Sequence, residues 1–143
     1  MDMLARREHA VAELKQKLCG RGFEADAVNA AVDQLAAQGL VSDERFVEAY
    51  VLSRREKGYG PLRIRLELVQ RGVAAGLIRD SLDHSDAKWR ESVRRVRRKR
   101  FGAAVPADVK ERARQARFLQ GRGFTADHIR AVLSEEDVLI DGD

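Results

Sequence analysis

The sequence predicts an all-α fold built from tandem three-helix repeats, and three observations carry that expectation. First, an Arg-Gly-apolar triplet closes one apolar stretch and opens the next at Arg21-Gly22-Phe23, Arg71-Gly72-Val73 and Arg122-Gly123-Phe124, with the glycines 50 and then 51 residues apart. A period of that kind marks an array of similar units. Second, the flanks keep register: Leu18, Leu68 and Leu119 precede the third triplet position by five residues, while Val28, Ile78 and Ile129 follow it by five, and Val32, Leu82 and Leu133 by nine. Leu14 and Ile64 stand nine residues before it, but Gln115 takes that place in the third copy, which has drifted. Third, the 143 residues are 44% apolar, 6% aromatic and 35% charged with two prolines, and they show no alternating strand pattern. Glycine tolerates the left-handed conformation that ends a helix, so each triplet reads as the turn of a helical hairpin.

The elements follow in order. The first helix is expected from about Leu4 to Cys19, with Ala10, Val11, Leu14 and Leu18 on one face, stopped by Gly20 and Gly22. The second, from about Ala25 to Ala37, turns Val28, Ala31, Val32 and Leu35 inward, and Glu24 and Asp26 suit its positive N-terminus. Ser42 or Asp43 caps a third, which carries Phe46, Val47, Tyr50 and Val51 to about Lys57. Gly58-Tyr59-Gly60-Pro61 is the sharpest break, and Pro61 fits the first position of a fourth helix reaching about Gln70. A short fifth runs from about Ala75 to Leu82. Asp83-His84-Ser85-Asp86 caps a sixth, from about Ala87 to Arg100, whose apolar stripe is Trp89, Val93 and Val96, all within roughly 60° of arc. Pro106 is expected to start a seventh helix, to about Gln120, and Thr125 to cap an eighth, to about Leu133. The repeats are therefore set at 1–58, 59–104 and 105–143, the last shortened and ending in an acidic tail. Units of about 50 residues are near the limit for an independent core, so they are expected to lean on one another.

Function classes narrow by exclusion. Cys19 is the single cysteine, which rules out an intramolecular disulfide and a thiolate metal cluster and fits a reducing compartment. No run of 18 apolar residues exists and Met1–Gly20 is charged throughout, so neither a spanning helix nor a signal peptide is expected, and the location expected is cytoplasmic. His9, His84 and His128 lack metal-ligand spacing, Gly58-Tyr59-Gly60 lacks the strand and the Gly-Lys of a phosphate loop, and no serine sits in a nucleophile elbow. No enzyme, cofactor or metal is expected.

Charge is the informative property. The net charge is only +4, yet Lys88–Phe101 holds eight bases against one acid, Glu91, while Ser134–Asp143 holds five acids and no base. Arg54, Arg55 and Lys57 end the third helix, Arg63 and Arg65 open the fourth, and the sixth adds Arg90, Arg94, Arg95, Arg97, Arg98, Lys99 and Arg100. Arginine suits bidentate contacts to phosphate or carboxylate, so these residues form the candidate surface for a polyanion. The arginines of the sixth helix are expected off its apolar stripe. Phe46, Tyr50 and Trp89 fall on core stripes and Tyr59 sits in a turn, so an aromatic stacking platform is weakly supported. Sequence-specific readout is unsupported, because the second helix offers Glu24, Asp26 and Asn29 where base-reading donors are needed.

Two longer motifs remain. One is Leu4-Ala5-Arg6-Arg7-Glu8-His9 with Glu13-Leu14, Lys17-Leu18 and Gly22-Phe23. The other runs Ser42-Asp43-Glu44-Arg45-Phe46, Tyr50-Val51, Arg54, Tyr59-Gly60-Pro61, Ile64, Glu67-Leu68 and Arg71-Gly72. With these motifs the chain resembles the RecX family, regulators of the recombinase RecA. Together the motifs cover about the first half; the second half matches mainly in repeat pattern and basic helix. The resemblance implies an elongated, curved array lying in the groove of the RecA filament on single- or double-stranded DNA, without sequence specificity. It implies inhibition of ATP hydrolysis, strand exchange and co-protease activity. A monomer is expected. The rival reading is a nonspecific DNA-coating protein that affects recombination indirectly.

Overall fold

The computed structural model describes residues 10–39, 41–83 and 87–134. Among these, every regular element is a helix: α1 (Val11–Gly20), α2 (Ala25–Ala37), α3 (Asp43–Glu56), α4 (Pro61–Gln70), α5 (Ala75–Ser81), α6 (Ala87–Phe101), α7 (Val109–Gly121) and α8 (Ala126–Val132). The all-α repeat architecture stands. The expected start of the first helix at Leu4, the motif Leu4–His9, the cap residues His84, Ser85 and Asp86, and the tail acids Glu135, Glu136, Asp137, Asp141 and Asp143 lie outside the described residues.

The triplets adopt one geometry. Gly22, Gly72 and Gly123 have φ of 93°, 82° and 98°. In each, the glycine N–H donates to the carbonyl three residues back (Cys19, Val69, Gln120) and the following apolar residue donates to the carbonyl five back (Leu18, Leu68, Leu119). That pair of bonds is the Schellman cap, which satisfies carbonyls the helix end leaves open. Gly58 repeats it: φ is 94°, Gly58 donates to Arg55 and Tyr59 to Arg54.

One helix start depends on a side chain far from its own helix. Ser42 caps α3, its Oγ accepting from Arg45 N–H at 3.3 Å, whereas Asp43 Oδ1 accepts from Val11 N–H at 2.8 Å and so serves the beginning of α1. Thr125 caps α8 in a full capping box: its Oγ1 accepts from His128 N–H, and His128 Nδ1 accepts from Thr125 N–H. The expected start of α7 at Pro106 is corrected to Val109. Asp108, in an extended conformation, accepts from Glu111 N–H at 2.7 Å, and this cap fixes the start three residues past the proline.

The chain divides into two compact units, Met1–Leu52 with Leu66–Leu82, and Ser53–Arg65 with Asp83–Asp143. In the first, Leu14, Val28, Val32 and Val41 form a buried cluster against Val11, Leu18 and Leu35, and Phe46, Val47, Leu68, Val73 and Ile78 are also buried. A Cβ on Gly72 would stand 2.6 Å from Ala12 Cβ, so the turn after α4 is pressed against α1. A polar cluster closes the same unit. Glu13 is ion-paired with Arg71, Tyr50 Oη donates to Glu67 Oε1 at 2.8 Å, and the Arg71 guanidinium lies 4.9 Å from the Tyr50 ring centroid.

The second unit buries Ile64, Trp89, Val93, Val96, Leu119, Phe124 and Val132. Here Gly60 N–H donates to Arg122 O at 2.7 Å and Leu62 N–H to Gly123 O at 2.9 Å, so the Gly60-Pro61 turn seats backbone to backbone on the third triplet. A Cβ on Gly60 would come within 2.4 Å of Gly123 C. The drifted position Gln115 is still buried; its Nε2 donates to Glu111, and its Oε1 has no hydrogen-bond partner.

Candidate polyanion-binding site

All twelve candidate bases fall in the second unit. Lys57 follows the end of α3, whose last turn carries Arg54 and Arg55; Arg63 and Arg65 are exposed on the first turns of α4; and α6 exposes Arg90, Arg95, Arg98, Lys99 and Arg100, with Arg94 partly covered.

Arg97 does not belong with them, which corrects the expected face of α6. It is 1% exposed, and its Nη1 and Nη2 donate to the carbonyls of Ala104 and Ala103 at 3.1 and 3.4 Å. At 100° per residue it lies about 40° from Val93, on the edge of the seam. Gly102, at φ 88°, ends α6 and leads into the segment that supplies those two carbonyls. Arg97 is thus a packing residue that ties down the loop after α6.

Aromatic rings lie beside several of these guanidiniums, although the sequence pattern only weakly supports a stacking platform. The carbons of Arg54, Arg63 and Arg122 stand 3.9, 4.5 and 4.9 Å from the Tyr59 ring centroid. Arg100 and Arg122 stand 5.4 and 5.3 Å from that of Phe118, which meets Phe101 edge to face at 5.4 Å. Arg55 lies 5.4 Å from the buried Trp89 ring. A ring covers the flat face of a guanidinium and fixes the direction of its N–H edge; Arg63 Nη1 donates to Gly121 O at 3.3 Å. Arg95 Nη2 donates to Arg55 O at 3.1 Å, which ties α6 to the end of α3 within this unit.

Beside Arg100, Arg122 and Phe118 lies a cavity of about 430 Å³. Lys57, Arg95, Lys99, Arg100 and Arg122 line it with a single acid, Glu56, and its apolar surface comes from Gly58, Val96 and Phe118. Arg54, Arg55, Arg63, Arg65, Arg90, Arg94 and Arg98 lie outside the lining, as does the buried Arg97. Arg122 and Phe118 belong to the site although the charge pattern did not select them. Arg122 is a repeat-turn residue, and Phe118 is an ordinary apolar position of α7. The available signal was the shared triplet itself, since the Gly60 turn docks on Arg122-Gly123 and carries Tyr59 beside it. Arg114 is otherwise engaged: its Nε and Nη2 donate to Glu111 at 2.9 and 2.8 Å, and it lies 5.1 Å from the Phe101 centroid. Hydrogen bonds from Arg114 and then Gln115 hold the Glu111 carboxyl down to about 2.

Among the described residues no three His, Cys, Asp or Glu side chains converge as a metal site, and no helix is long and apolar enough to cross a membrane. The chemistry on offer is recognition of negative charge.

Comparison with known proteins gives three domain matches in succession: RecX, first three-helix domain, over residues 1–35; RecX, second three-helix domain, over 42–82; and RecX, third three-helix domain, over 90–133. The regulatory protein RecX of Halorhodospira halophila is 50% identical over 135 residues, 94% of this chain and 84% of that protein. The regulatory protein RecX of Pseudomonas savastanoi pv. phaseolicola is 44% identical over 134 residues, 94% of this chain and 86% of that one. The crystal structure of RecX from Lactobacillus salivarius superposes with a TM-score of 0.80 at 20% identity, covering 96% of this chain and 91% of that one, a likeness of fold.

Proposed function

The chain belongs to the RecX family of regulatory proteins, and from that membership we propose that it is a negative regulator of the RecA recombinase. It lies in the groove of the RecA–DNA filament and inhibits ATP hydrolysis, strand exchange and co-protease activity. It works as a cytoplasmic monomer, without catalysis or a cofactor of its own.

The observation that carries this reading is the cationic surface of the second unit, with arginines from α3, α4, α6 and the turn after α7 beside Tyr59 and Phe118. Many linked weak contacts multiply along a repetitive acidic or phosphate-bearing partner. Such a partner is what a nucleoprotein filament offers.

Binding to a pre-formed filament, compared with binding to the same DNA without recombinase, tests the reading. The filament is expected to be bound more tightly and with a shallower salt dependence than the slope of about −0.9 per neutralised phosphate expected on naked duplex. Equal affinity for naked DNA, with the full phosphate slope, would instead establish the DNA-coating alternative.

A further inference from the structure

We propose that the cavity of the second unit is a binding site for one nucleotide of a single strand, with the phosphate held by Arg100, Arg122 and the lysines at its mouth. The proposal deepens the DNA-binding part of the function above and rests on it. Five cationic side chains and one carboxylate line about 430 Å³. One carboxylate side chain would leave most of that charge uncompensated, whereas a strand presents further phosphates to the neighbouring bases. Arg100 and Arg122 both lie over Phe118, so their donor edges are ordered before any ligand arrives. Gly58 lets the turn pack closely on Val96 at the cavity: a Cβ there would stand 3.2 Å from Val96 Cγ2.

The concave shape selects between strands. Duplex phosphates lie on a convex cylinder and reach such a hollow only at its rim. A single strand can turn one phosphate inward and lay the attached base on the apolar surface of Val96 and Phe118. Glu56, the one acid of the lining, disfavours a phosphate beside it and is an acceptor for a base N–H, the thymine imide included.

The test uses the full chain and a labelled oligothymidylate, with a duplex of equal length alongside. Lys99→Gln and Arg100→Gln are each expected to weaken single-strand binding about three- to tenfold and to reduce the log–log salt slope by about 0.7. The loss on the duplex is expected to be smaller. Arg112→Gln, an equal loss of charge at an exposed α7 position outside the lining, is the control, with a change of less than about twofold. Lys57→Gln, at another exposed lining residue, repeats the measurement should Arg100→Gln melt early. Equal losses for Arg112→Gln and the cavity variants, or equal losses on single strand and duplex, would overturn the site as a nucleotide pocket. Unchanged single-strand binding with loss of filament inhibition would assign the cavity to an acidic protein segment and likewise overturn it. Wild-type protein that leaves filament ATPase untouched would remove the regulatory reading alone, and the oligonucleotide arm would still decide the cavity.

Discussion

Gly22 and Gly72 occupy the same turn in successive repeats and should not tolerate substitution equally. Both have positive φ, so an alanine strains either backbone by about 1 kcal/mol. Around Gly22 a Cβ meets nothing within 4 Å, while at Gly72 it would overlap Ala12. Thermal melting is therefore expected to drop modestly in Gly22→Ala and substantially more in Gly72→Ala; equal drops would mean that α1 does not press on the second turn. Tyr50 supplies a pH-dependent contribution in the same unit. Burial, then its hydrogen bond to the Glu67 carboxylate, raises the phenol above its ordinary value of 10.0, with Arg71 opposing. A folded-state value above the unfolded one means that this contribution is complete below pH 10 and is lost as pH rises through the raised value. Tyr50→Phe is expected to cost about 1 kcal/mol at neutral pH, the hydrogen bond being partly solvated. It should also flatten the fall of stability on the alkaline side, and an unchanged alkaline limb would contradict the coupling.

At the scale of the element, α6 divides into a seam and a surface. Periodicity identified Trp89, Val93 and Val96 as buried, and they are. It misplaced Arg97, because the partners that make a buried guanidinium tolerable are carbonyls of the irregular segment after Gly102, and no helical period records them. Arg97→Ala is therefore expected to lower stability by about 3 kcal/mol. The combined variant Arg94→Ala, Arg95→Ala and Arg98→Ala should keep helicity and melt only a little below wild type, through loss of the exposed Arg95–Arg55 hydrogen bond, while weakening partner binding. A triple variant that melts as low as Arg97→Ala would show those three arginines to be structural too. The helix boundaries that rest on local chemistry, Pro61 and Thr125 among them, were legible in the sequence. The start of α7 was not, since Asp108 outcompeted a proline two residues earlier.

For the whole molecule, the repeat period was legible because the same Schellman turn recurs with the same apolar neighbours. The two compact units were not, because their division falls inside α3 and α4, and hydropathy is continuous across both helices. Repeats of about 50 residues carry too little core to stand alone, and the second repeat accordingly contributes residues to both units. The motif residues Glu13, Tyr50, Glu67 and Arg71 that carried the family resemblance turn out to pack and hydrogen-bond with one another in the first unit. The candidate site in the second unit required Arg122 and Phe118, whose roles appear only when the Gly60 turn meets the third triplet. A regulator of a recombinase filament and a DNA-coating protein differ in the amount of protein they need to act. ATP hydrolysis by a pre-formed RecA–DNA filament, followed as the chain is added well below one molecule per recombinase protomer, tests that difference most directly. A filament regulator is expected to give a marked fall in hydrolysis at that ratio, relieved in the triple α6 variant; hydrolysis that declines only once there is enough protein to cover the DNA would mark a coating protein instead.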